Sequence, residues 1–146
     1  MDRVAALICT LAVGGLVALQ PPANAELSQY VGDLGAALIS LTISTVIVSV
    51  LLLTVGHPAR LAGISHFKPE HVIGGIAGAA VVTISLITVR SLGAGGVTAV
   101  LVTAQLIVSV IADHLGVLGL DEVGISWQRM LGVALVIGGT YLITTR

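Results

Sequence analysis

The sequence predicts an all-α integral membrane protein with five transmembrane helices. Hydrophobic residues make up 56% of the chain and charged residues only 9%, where soluble domains carry about 25% charged residues. A surface that poor in charge cannot be wetted all round. Five apolar runs, at about 4–20, 34–55, 72–89, 94–118 and 126–144, each approach the roughly 20 residues needed to cross a hydrocarbon core about 30 Å thick. The connections between them are short and hold most of the charge. Lipid offers no partner to a backbone N–H or C=O, so each run satisfies its own groups as a helix. The whole chain, 1–146, then reads as a single membrane domain.

The first run has two readings. Met1-Asp2-Arg3, a long apolar stretch and Ala23-Asn24-Ala25 before Glu26 have the layout of a signal peptide with its cleavage site. The alternative is a first spanning helix that kinks or stops at Pro21-Pro22. Neither proline can donate to the carbonyls of Val17 and Ala18, and each disfavours helix in the residue before it. If the helix continues, Gln20 and Asn24 share a face.

The second run carries Ser40, Thr42, Ser44, Thr45 and Ser49. Hydroxyls in a membrane helix bond back to their own backbone, so these read as packing residues. The third run opens with Gly74-Gly75-Ile76-Ala77-Gly78, whose Gly74 and Gly78 form a GxxxG pair that lets two helix backbones approach closely. Between the second and third runs lie His57, His66 and His71. His66 and His71 are five apart and flank Pro69, which is not the spacing of a helical metal-ligand pair, and no metal is expected.

The fourth run is the most informative. At about 100° per residue, Thr98, Gln105, Ser109 and Asp113 fall within roughly one sixth of the helix circumference. Ala112 and Gly116 border this stripe, and the other faces are Leu, Val and Ile. A lipid-facing helix has no use for such a face, so it is expected to look onto another helix or a polar cavity. Asp113, about 12 Å along the axis from Gln105, has two readings. It is a functional intramembrane acid, or it anchors the helix end and pairs with Arg129 at the start of the fifth run. Gln105 likewise either glues helices, by bonding to Gln20, Asn24 or a hydroxyl, or lines a substrate pathway.

Composition narrows the function. The net charge of −1 excludes a strongly basic nucleic-acid binder. The lone Cys9 allows no internal disulfide. No nucleophile–base constellation, phosphate-cradling glycine loop or pair of mid-membrane carboxylates points to an enzyme or to a cofactor. Arg3, Arg60, Lys68 and Arg129 fall on the N-terminal side of five crossings, Arg90 and Arg146 on the other. So small an excess favours a cytoplasmic N-terminus only weakly, and also suits a chain that inserts both ways. With an odd number of spans, an oppositely inserted copy gives the inverted arrangement of many transporters.

The residues also resemble a known family. Gln20-x-Pro22-x-Asn24-Ala25-x-Leu27, Gly32 and Ala36-Ala37-Leu38-Ile39-Ser40 begin the match. Ala104-Gln105-Leu106, Ser109, Asp113-His114-x-Gly116, Gly119, Arg129-x-Leu131-Gly132 and Gly138-Gly139 complete it. Together they are similar to the YdcZ family of the drug/metabolite transporter superfamily, with Ala104 where that family usually has glycine. The resemblance implies a half-transporter in the bacterial inner membrane, working as an antiparallel homodimer or with an oppositely oriented homologue. It leads to a small-molecule exporter acting by alternating access, with Gln20, Asn24, Gln105, Ser109 and Asp113 along the pathway and Gly74, Gly78 and Gly116 in helix packing. The alternative is a non-transporting membrane subunit that stabilises a partner protein.

Overall fold

The computed structural model describes residues 2–117 and 121–145, and among them the regular structure is entirely helical. Helix α1 spans Arg3–Val31 and α2 spans Asp33–Thr54. Two 3₁₀ stretches, Pro58–His66 and Pro69–His71, follow. A continuous helical run, Val72–Leu115, is broken at Gly93, whose φ of 69° and ψ of 165° are not helical. We therefore treat it as two helices, α3 (72–92) and α4 (94–115). Helix α5 is Trp127–Thr144. Each helix lies over one of the five apolar runs; Leu118, the last residue of the fourth, and Gly119 of the family resemblance lie outside the described residues. By length and composition, the stretches Arg3–Val31, Asp33–Thr54 and Pro69–Leu115 are long and apolar enough to cross a membrane.

Of the kink or stop expected at Pro21-Pro22, the stop does not occur. Helix α1 does not stop at Pro21-Pro22 but runs nine residues further, to Val31. Ending it there would strand the last turn's carbonyls in lipid, where nothing replaces their partners. Continuing forfeits only the two donors that the prolines lack, and proline's fixed φ is itself helical. Pro21 is buried, as are Asn24 and Ser28 further along.

The chain divides into two compact units, Met1–Arg90 and Ser91–Arg146. In the first, α1 and α2 form a hairpin whose connection is one residue, Gly32. Its N–H donates to the Ser28 carbonyl and its carbonyl accepts from Ala36 N–H, both at 2.9 Å. The same peptide neighbourhood therefore closes one helix and opens the next. Its φ of 75° and ψ of 164° belong to a region essentially restricted to glycine. Gly35, one turn on, is held close to α1: a Cβ there would lie 3.2 Å from Val31 Cβ.

The core of this unit is small. Ala36, Ala37, Val82 and Leu86 are buried, with Leu27 and Leu41 packed on them, so small residues on α2 let α1 and α3 come close. Asn24 Nδ2 donates to Ser40 Oγ at 3.2 Å across the hairpin. Thr42, Ser44 and Thr45 bond back to carbonyls four residues earlier, as their type predicts. At the Gly32 end, Arg90 reaches from α3 to Asp33 Oδ1 and Ser28 Oγ, both at 2.6 Å. One guanidinium ties three helices.

The second unit is the antiparallel pair α4–α5. The Thr103 hydroxyl donates to the Ala99 carbonyl at 2.8 Å and accepts from the Thr140 hydroxyl at 2.6 Å, and Thr140 Oγ1 also lies 3.2 Å from that carbonyl. Near the α4 terminus, Arg129 Nη1 donates to Asp113 Oδ2 at 3.2 Å.

Candidate functional site

The α4–α5 seam is held at two points about 15 Å apart along α4, the Thr103–Thr140 contact and the Asp113–Arg129 pair. Between them it opens. A cavity of about 370 Å³ is lined by Leu106, Ser109, Val110 and Asp113 from α4 and by Arg129, Gly132, Val133 and Val136 from α5. The spacing explains this: positions i, i+3, i+4 and i+7 on each helix face the same seam. Gly132 contributes no side chain, and a Cβ there would meet nothing within 4 Å. The walls are therefore valine and leucine, and the polar groups are Ser109 and the ion pair.

Both members of that pair are fixed by the chain around them. The Asp113 carbonyl accepts from Val123 N–H at 2.9 Å, which folds the connection back over the end of α4. Ser126 caps α5 by accepting from Arg129 N–H at 3.3 Å, so Arg129 lies in the first turn. Each side chain is about one third exposed.

The charges are set against their helices. The C-terminal end of a helix carries partial negative charge and the N-terminal end partial positive charge. Asp113 lies two residues from the end of α4, and Arg129 is the third residue of α5. Each alone is disfavoured by about 0.3–1 kcal/mol; only their mutual attraction compensates. The Asp33–Arg90 pair is the opposite case. Asp33 is the first residue of α2 and Arg90 lies near the end of α3, both where the dipoles favour them.

The remaining predicted residues are dispersed. Gln20 lines a second, mostly apolar groove of about 580 Å³ on the α1–α2 hairpin, with Ser44, Val13, Leu16, Ile47 and Val48 among its neighbours. Asn24 is buried one turn away and bonded to Ser40. Gln105 is exposed on α4, and its amide makes no hydrogen bond among the described residues. Ser109 and Asp113 are thus the two expected pathway residues brought into one cavity. Gly74 and Gly78 have open space where a Cβ would stand. Gly116 has a φ of 57°, the left-handed value with which helices end.

Sequence reasoning missed the Thr103–Thr140 contact and the Ser28–Asp33–Arg90 cluster. The second had a usable signal. Asp33 and Arg90 flank the start of one apolar run and the end of the next, which alternate crossings bring to the same side.

A family model described as "Putative inner membrane exporter, YdcZ" matches residues 5–142. The chain belongs to the YdcZ family. No curated protein and no solved structure matches it. The YdcZ match takes in both grooves, the Asp33–Arg90 and Asp113–Arg129 pairs and every expected pathway and packing residue. Membership makes the chain a membrane protein of an exporter family.

Proposed function

We propose that this YdcZ protein is half of an exporter for small amphipathic molecules, working by alternating access as an antiparallel dimer with a second copy or an oppositely oriented homologue. Five crossings underlie the proposal. The run Val72–Leu115 would extend about 66 Å as one rod, over twice the hydrocarbon core, so the break at Gly93 separates two crossings. The observation that carries the function is the α4–α5 cavity, apolar along its walls, with an ion pair about one third exposed and placed against both helix dipoles. A pair that joins two helices while opposing both of their dipoles is held less firmly than one the dipoles favour. Its charges can part when a polar headgroup or a proton replaces one partner, while the valine walls take the apolar remainder.

The test is export from cells, or from proteoliposomes, across a panel of amphipathic cations, anions and zwitterions. Asp113→Asn is expected to abolish export while the protein stays folded in the membrane, and Gln105→Ala to weaken it if the exposed amide completes the pathway across the dimer. Undiminished export by Asp113→Asn would overturn the assignment. One observation favours the second reading, a subunit that stabilises a partner: the unfilled space over Gly74, Gly75 and Gly78 suits a close helix contact. Under it, Gly74→Leu or Gly78→Leu disrupts assembly and the Asp113 variant is silent.

A further inference from the structure

The connection between α2 and α3 has no part in the transport reading, and its geometry is unusual. Pro58–His66 is a nine-residue 3₁₀ helix with no buried residue, although 3₁₀ runs beyond three or four residues are uncommon. With three residues per turn, side chains at i and i+3 eclipse. The sequence uses that period twice. Leu61, Ile64 and Phe67 form one ridge, 57%, 69% and 53% exposed. His57, Arg60 and His66 form the adjacent ridge, with Gly63 between the last two.

An open surface depression of about 320 Å³ lies along the two ridges, lined by Arg60, His66 and His71 on the polar side and by Leu61, Ile64 and Phe67 on the apolar side. His71 is held in place. Its ring stacks edge-on against Phe67 at 5.5 Å, and its Nδ1 accepts from Lys68 N–H at 3.1 Å, which leaves Nε2–H as a donor. Among the described residues, the Arg60 guanidinium has no ion pair. The one acid of the connection, Glu70, is already paired with Lys68 at 3.5 Å. The polar side therefore offers donors and positive charge and presents no carboxylate.

We propose that this segment lies in the bilayer interface and binds the phosphate of an anionic phospholipid. The phosphate would sit against Arg60, His66 and His71, with Leu61, Ile64 and Phe67 in the upper acyl region. Three features of the segment select this occupant. The segment is tethered at both ends to helices long and apolar enough to cross a membrane, so the surface it meets is the bilayer's own. Its apolar ridge and the polar ridge that carries Arg60 run side by side, as in helices that lie at an interface. Its charge complements an anionic leaflet, which attracts each arginine or lysine near the surface by a factor of about five.

The experiment uses the full chain in phosphatidylcholine vesicles with or without phosphatidylglycerol. Phe67→Trp, in a Trp127→Phe background, supplies one fluorophore, and acyl-brominated lipid supplies the quencher. The expected result is blue-shifted emission and strong quenching, with brominated phosphatidylglycerol preferred over brominated phosphatidylcholine by about fivefold and the preference lost in Arg60→Gln. A spin label on Ile64→Cys, in a Cys9→Ser background, gives the depth independently if the tryptophan variant does not fold. An unquenched, water-exposed reporter would overturn the proposal. So would quenching indifferent to headgroup and to Arg60→Gln, which is apolar anchoring alone. Inorganic phosphate that displaces the lipid preference as well as phosphatidylglycerol creates it would overturn the lipid assignment in favour of a soluble phosphate.

Discussion

Arg90 uses one nitrogen to reach both Ser28 and Asp33, and its side chain remains about half exposed. A charge-assisted bond is worth about 1.5–3 kcal/mol when shielded, and exposure reduces that toward about 1 kcal/mol. Arg90→Ala is therefore expected to lower stability in detergent by about 1 kcal/mol, with Arg90→Lys recovering part, as thermal melting would report. The Asp113–Arg129 pair makes a different prediction. Exchanging the two residues, Asp113→Arg with Arg129→Asp, puts each charge where its helix dipole favours it. The exchange is expected to raise stability by a few tenths to about 1 kcal/mol per charge while impairing export. Preserved export would show that the pair acts only as a strut. At this scale the sequence was half legible. Asp113 and Arg129 could be paired on paper because they flank one short connection. Ser28 could not be found, because nothing in its neighbours reveals that α3 ends beside it.

Helices were the most legible level, since lipid leaves an apolar run no alternative to helix. Their ends were not. Proline's local preference argued for a stop at Pro21, yet the cost of exposed carbonyls in lipid is set by the surroundings and won. The joints were equally silent. Gly32 and Gly93 are two glycines among the chain's 18, and only the backbone shows that both adopt nearly the same non-helical conformation. Gly32→Ala should cost about 1–3 kcal/mol, because a side chain is strained at this φ and ψ whatever the free space around it. Measuring the melting temperature beside that of Gly14→Ala, a helical position with open space, isolates the backbone effect. The Thr103–Thr140 contact gives a further check. A double-mutant cycle to valine is expected to yield a coupling of about 0.6 kcal/mol, typical of hydrogen bonds between helices in a membrane.

For the whole molecule, the decisive measurement is which side of the membrane each terminus reaches. Cys9 is exposed, so it must first be replaced by serine before single cysteines are added at either end and labelled in intact cells. The antiparallel homodimer predicts that each terminus labels from both sides. A single orientation requires a separate, inverted partner. The connections make the same experiment possible by a second route. Between α2 and α3 lie 17 residues outside both helices, enough chain to take an inserted epitope or protease site beside the ridge that faces the interface. Between α1 and α2 there is only Gly32, with both its peptide groups already engaged. Cleavage of the α2–α3 connection therefore reports which way round a molecule stands, while the α1–α2 turn is mute from either direction. Tags placed at residue 32 would therefore be read as unfolding, not as topology.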